Sequence, residues 1–219
     1  MKKLLMVFAV IGLVALLFAI PAQADLTYST GVDANLDGID DYFTVNGGNA
    51  YLVTTIAGGW PILPDATKTT GKYISWAADQ SNVTQGSVPG QLYTYAFNFN
   101  WAGSTAITTF DFRWLSDDYL YNILLNGTSL GINNLGQPSP WTTSYSQNGV
   151  NGTVQSGVNT IAFLIWNTGG VQPPTNGTSG PTGMAADFTV YGDATTVPEP
   201  ASLLLLGMGI VGLAFWRKR

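Results

Sequence analysis

Asp33, Asn35 and Asp37 alternate with Ala34 and Leu36, Gly38 follows, and Asp41 closes the run. Oxygen-bearing side chains at positions one, three, five and nine, with a glycine at six that lets the chain turn, are the types and spacing of a calcium loop, where hard oxygen ligands surround a hard cation. Position twelve is Thr44 in place of a bidentate glutamate, so an ion held by Asp33, Asn35, Asp37 and Asp41 is expected to be structural. Extracellular sites of this kind bind calcium at about 0.1–1 mM. The same residues also form an Asp/Asn/Gly turn leading into a strand at Tyr42, and from the residues alone both readings stand.

A second acidic pair, Asp117-Asp118, has the residue types of a general acid and base. Neighbours on a strand point to opposite faces, whereas glycoside hydrolysis needs two carboxyls converging about 5–10 Å apart across one bond. The chain has no histidine and no cysteine, and Glu199 is its only glutamate. Ser-His and Cys-His mechanisms are thereby excluded, and the expectation is a protein that is not an enzyme. Aromatic rings are the other chemical resource, since they stack on the apolar faces of sugars. Trp114 and Trp166 fall within inward-facing patterns, while Trp60, Trp101 and Trp141 lie beside loops containing glycine or proline. The candidates for contact with a polysaccharide are therefore Trp141, Trp60 and Trp101, with Asp117 and Asp118.

These residues must be positioned by strands. Gly and Asn punctuate the chain every ten residues or so, aromatic and β-branched residues abound, and no stretch of residues 25–196 sustains a 3.6 period. Tyr93, Tyr95, Phe97 and Phe99 share one strand face, and Phe110, Phe112 and Trp114 repeat the pattern with Asp111 and Arg113 outward. Asn126-Gly127 tolerates positive φ and predicts a tight hairpin between strands at 119–125 and 129–132. Residues 158–167 are apolar on both faces, as in a central strand, and 184–191 form a last strand. The expected fold is all-β, an antiparallel β-sandwich or jelly roll built of hairpins with no crossover helices.

Address segments flank this domain. Lys2 and Lys3, an apolar run from Leu4 to Ile20, and Ala22-Gln23-Ala24 read as a signal peptide over 1–24. Residues 25–191 are the sandwich, and 192–200 form a linker that ends in the tetrad Val197-Pro198-Glu199-Pro200, which can neither start a helix nor join a sheet. Residues 201–216 form an apolar segment of roughly 24 Å as helix against a bilayer core of about 30 Å, marginally able to span as a transmembrane helix. Arg217, Lys218 and Arg219 then hold the end in the cytoplasm. Between 25 and 196, Lys68, Lys72 and Arg113 face twelve aspartates, a net charge of −9. Such a surface repels a nucleic-acid backbone, so nucleic acid is no partner.

The tail, with Pro198, Glu199 and Pro200, the apolar segment and the basic end, resembles the PEP-CTERM sorting signal of Gram-negative bacteria. The resemblance implies an exosortase as partner, attachment to the membrane through the C-terminal helix before processing, and an exported protein that passes from an inner-membrane intermediate to the cell surface or an exopolysaccharide-rich matrix. The Asp33–Asp41 loop is similar to D-x-[DN]-x-D-G-x-x-D calcium loops of extracellular repeat proteins. A further set, Phe110-x-Phe112-x-Trp114, Ser116-Asp117-Asp118, Leu125-Asn126-Gly127, Gly157-Val158-Asn159-Thr160, Phe163-x-Ile165-x-Asn167 and Gly180-Pro181-x-Gly183, is similar to the galactose-binding-like jelly roll. That superfamily includes carbohydrate-binding modules, lectins and purely structural domains, so it implies a fold and not a function.

Overall fold

Alternating rings and small polar residues require a surface buried on one side only, and the longest strands follow that rule residue by residue. The computed structural model describes residues 25–56, 71–80, 91–137, 142–167 and 182–192. They form β1 Leu26–Ser29, β2 Ile39–Val45, β3 Gly48–Leu52, β4 Thr55–Ile56, β5 Ile74–Ser75, β6 Asp79–Gln80, β7 Gln91–Trp101, β8 Ala106–Asp117, β9 Tyr119–Leu125, β10 Thr128–Ser129, β11 Tyr145–Val154, β12 Gly157–Asn167 and β13 Gly183–Val190. In β7 every second residue from Tyr93 to Trp101 is buried, and in β8 Phe110, Phe112 and Trp114 are.

One hydrogen-bonded path runs β10-β9-β12-β7-β2-β3-β5-β13-β8-β11, with β1 added beside β13. It doubles back on itself, so that β7, β9 and β12 face β1, β8 and β13 across a core of rings. Phe97 of β7 meets Phe188 of β13 at 5.5 Å between ring centroids, and Phe163 of β12 meets Phe112 of β8 at 6.1 Å. Tyr28 of β1 reaches Phe97 at 4.4 Å. The result is an all-β antiparallel sandwich of the jelly-roll kind, with the two-residue β4·β6 contact as a parallel exception.

The connectivity departs from the hairpins expected throughout. Among the described residues only β2·β3 and β9·β10 join consecutive strands, whereas β12 lies between β7 and β9, and β13 pairs with β8. The chain crosses from one layer to the other after β7, β8, β10, β11 and β12, because each long strand buries one face and needs a facing layer to complete the core. At Asn126-Gly127, φ values of 51° and 79° give the tight hairpin expected there. The returning strand is Thr128–Ser129 rather than 129–132. The expected segments at 1–24, 193–200, 201–216 and 217–219 lie outside the described residues, while Asp25–Tyr191 form one compact unit.

Candidate functional site

Six polar side chains converge by pairing at one end of the sandwich. Asn167 lies opposite Gln91, Gly183 opposite Asp117, and Met184 opposite Ile74, which brings the ends of β5, β7, β8, β12 and β13 together. Ser75, Ser116, Asp117, Asp118, Asn167 and Thr182 are all buried there. Asp117 and Asp118 occupy the crossing from β8 to β9, and both are buried there. The crossing passes between layers, so both flanks are covered.

Hydroxyl groups brace this end. The Ser75 hydroxyl donates to the Thr182 carbonyl at 2.5 Å, the Thr182 hydroxyl to the Asp117 carbonyl at 3.0 Å, and the Ser116 hydroxyl to the Asp118 carbonyl at 3.3 Å. Burial pushes the phenols of Tyr73 and Tyr95 up; the negative charge of Asp117 adds to both, and the hydroxyls of Ser75 and Thr182 partly offset the rise at Tyr95. Both phenols therefore stay neutral at physiological pH and supply no phenolate base. The Ser75, Ser116 and Thr182 hydroxyls are thus spent on backbone carbonyls of the crossing and its neighbours. The chain contains no histidine or cysteine to add to them.

The Asp33–Asp41 loop is arranged by its own hydrogen bonds. Asp33 accepts the Asp37 and Gly38 amides at 3.1 and 3.0 Å, Asn35 accepts the Asp37 amide at 3.1 Å, Asp37 accepts the Ile39 amide at 2.9 Å, and Asp41 accepts the Ala34 amide at 2.7 Å. Leu36 at φ 63° and Gly38 at φ 81° make the two reversals. The oxygen types suit calcium. Yet both Asp33 oxygens are given to amides, and among the described residues no three acidic side chains come together as a metal group. Beside the loop, Asp40 is buried and accepts amides from Gly31, Tyr42 and Phe43 at 2.5, 2.8 and 2.7 Å.

Two tryptophans differ from expectation. Trp101, expected at an exposed loop, ends β7 with 2 % of its surface exposed. Its indole N–H donates to the Ser104 carbonyl at 3.0 Å, so the following loop folds back under the ring and leaves no stacking face. Trp166, expected inward, is half-buried on the outer face of β12, because the inward positions are taken by Ile161, Phe163 and Ile165. Its ring lies 6.2 Å from that of Tyr121, tilted by 33°. Sequence reasoning missed this outer pair; the signal was the parity of Trp166 against Phe163. Trp60 and Trp141 lie outside the described residues, as do Pro198, Glu199, Pro200, Arg217, Lys218 and Arg219.

Several solved structures are similar. A family 35 carbohydrate binding module from Clostridium thermocellum is 16 % identical over 76 % of this chain and 98 % of that one, with a TM-score of 0.39. CBM35 from Paenibacillus barcinonensis is 20 % identical over 75 % and 97 %, with a TM-score of 0.37. The GH26-CBM35 β-(1,4)-mannanase of Podospora anserina is 18 % identical over 80 % of this chain and 29 % of that one, with a TM-score of 0.38. No curated protein matches the chain. Residues 196–219 match the PEP-CTERM protein-sorting motif, and the chain thus carries the sorting signal its tail resembles.

Proposed function

We propose that the protein is an exported, non-enzymatic component of the cell surface or extracellular matrix of a Gram-negative bacterium, processed by an exosortase at its Pro-Glu-Pro tail. The motif match at residues 196–219 carries this reading. The domain supports it from the other side, because its buried hydroxyls and the carboxylates of the Asp33–Asp41 loop serve backbone groups of the fold. The test is Glu199→Ala in the producing bacterium, followed by C-terminal mass spectrometry and surface labelling. The parent chain is expected at the surface without its apolar tail, and the variant at full length in the inner membrane. Equal processing of the two refutes the proposal.

A second reading is glycan binding at the polar end. Its support is the burial of Asp117, Asp118, Asn167 and Thr182 at the ends of β8, β12 and β13, with Trp60 and Trp141 as ring candidates from the sequence. Retardation in gels containing the organism's own exopolysaccharide, lost in Trp141→Ala and Trp60→Ala, is the expected result. Retardation unchanged in both variants removes this reading.

Calcium in the Asp33–Asp41 loop would act structurally, by stiffening the connection from β1 to β2. Asp33 keeps a free lone pair on each carboxylate oxygen beside its amide bond, and Asn35, Asp37 and Asp41 would supply the remaining side-chain oxygens. Addition of about 1 mM calcium is then expected to raise the Tm above its value in EDTA in the parent and not in Asp33→Ala. Identical melting with and without calcium rules the ion out.

A further inference from the structure

Four neighbouring strands, β10, β9, β12 and β7, contain no aspartate, glutamate, lysine or arginine at any position. They belong to a region of net charge −9, and among the described strands charge is confined to β2, β6, β8 and β13. We propose that the outer face of these strands is a second binding surface, built for an uncharged polysaccharide. It lies on the outward side of β9 and β12, next to the polar end at Asp118 and Asn167, and rests on residues other than those of that reading.

The face has a built ring platform. Pairing of β9 with β12 slips by one residue between Leu164, opposite Asn122, and Ile165, opposite Leu120. The slip leaves Tyr121 as the extra residue, and both Tyr121 and Asn122 escape burial while Leu120 and Ile123 remain buried. Such a bulge re-aims a side chain, and here it sets a ring and an amide side by side on the outer surface. Tyr121 is 45 % exposed and rests against Trp166. The Trp166 indole nitrogen is buried and has no hydrogen-bond partner. What this ring shows to solvent is therefore carbon, the surface that stacks on the C–H face of a sugar.

Hydrogen-bonding groups lie on the same outer face, one pair beside the rings and one six residues along β12 from Trp166. Asn122 and Ser129 hold each other at 2.8 and 3.0 Å, and Thr160 donates to Asn98 at 2.7 Å. Both pairs are at the surface, oriented and wet, as a hydroxyl-rich ligand requires and as a dry protein interface does not. Three strands span roughly 10 Å, room for a short stretch of glycan. A charged sugar would leave water without meeting an opposite charge, which costs more than stacking returns. The chemistry selects a neutral chain.

The experiment uses the full chain in detergent, with cellohexaose and mannohexaose as neutral probes and hexagalacturonate as the charged control, read by tryptophan fluorescence and calorimetry. At least one neutral hexasaccharide is expected to bind and the uronate to fail. Tyr121→Ala is expected to weaken binding roughly tenfold, the scale of one lost ring contact. Leu164→Asp is expected to abolish it by charging the face. Circular dichroism identifies folded variants, and Ile107→Ala, at an exposed position of β8, keeps full affinity. Full affinity in both face variants, binding of the uronate alone, or no neutral binding overturns the proposal. So does a particle size that halves in Tyr121→Ala, which assigns the face to a second copy of the chain.

Discussion

The outer face of β7, β9 and β12 and the outer face of β8, β11 and β13 lie on opposite sides of one core and solve the same problem differently. On the β8 side, Arg113 grips Asp187 through two nitrogens at 2.8–3.3 Å, and Asp111 accepts both the Tyr191 hydroxyl at 2.7 Å and the Gly149 amide at 2.8 Å. Each of these charged groups is spent on a neighbouring strand. On the β12 side there is no charge to satisfy, and rings, amides and hydroxyls are left at the surface. One face spends its polar groups on charge pairs between strands, and the other pairs amide with hydroxyl, Asn122 with Ser129 and Asn98 with Thr160, and leaves Tyr121 exposed.

Substitutions across the core test that contrast most severely. Phe163 faces inward among Phe43, Phe112 and Phe188 at 6.1–6.4 Å, and Leu164 beside it faces outward. Phe163→Ala is expected to cost about 3–5 kcal/mol in chemical denaturation, and Leu164→Asn less than about 1 kcal/mol. Equal losses would mean that the β12 outer face is itself covered. A smaller effect is expected on the charged side. Arg113 and Asp187 are 35 % and 14 % exposed, so Arg113→Met combined with Asp187→Asn should cost less than about 1 kcal/mol. Because salt screens such pairs, the difference from the parent should shrink in 1 M salt, while the Leu164→Asn difference should not.

The smallest expected effect concerns Asp40, at the margin between the two regimes. Burial lifts its carboxyl above the usual 3.8, although amides of Phe43, Tyr42 and Gly31 pull it back. A raised folded value means that the stability Asp40 contributes is full below 3.8 and is lost as pH rises through the raised value. Asp40→Asn is therefore expected to flatten the decline in urea midpoint as pH rises from about 3 to about 7. A parent midpoint that rises over that interval, with a flat variant, would reverse the assignment.

Much of this was legible in the chain. Period-two alternation placed Tyr93, Tyr95, Phe97 and Phe99 on one buried face, and Asn126-Gly127 marked the hairpin, because both signals are local and the backbone enforces them without help. The tail was legible for a similar reason, as its tetrad, apolar run and basic end are read in order along the chain. The candidate surface was not. Residues 158–167 are apolar on both sides, so alternation alone cannot tell which side is core, and Trp166 looked inward as readily as Phe163. Trp101 misled in the same way, since its loop position gave no sign that Ser104 would fold back onto the indole.

The sequence by itself therefore determined which residues share a face, where the chain turns and how its end is addressed, since each depends on a few neighbouring residues. The tertiary structure alone decided that β12 lies between β7 and β9, that Tyr121 is the bulged residue beside Trp166, and that Asp117 and Asp118 are enclosed at the layer crossing. Those outcomes come from pairing between strands distant in the chain. Such pairing is selected by the packing of the whole core and leaves no local mark for a sequence to show.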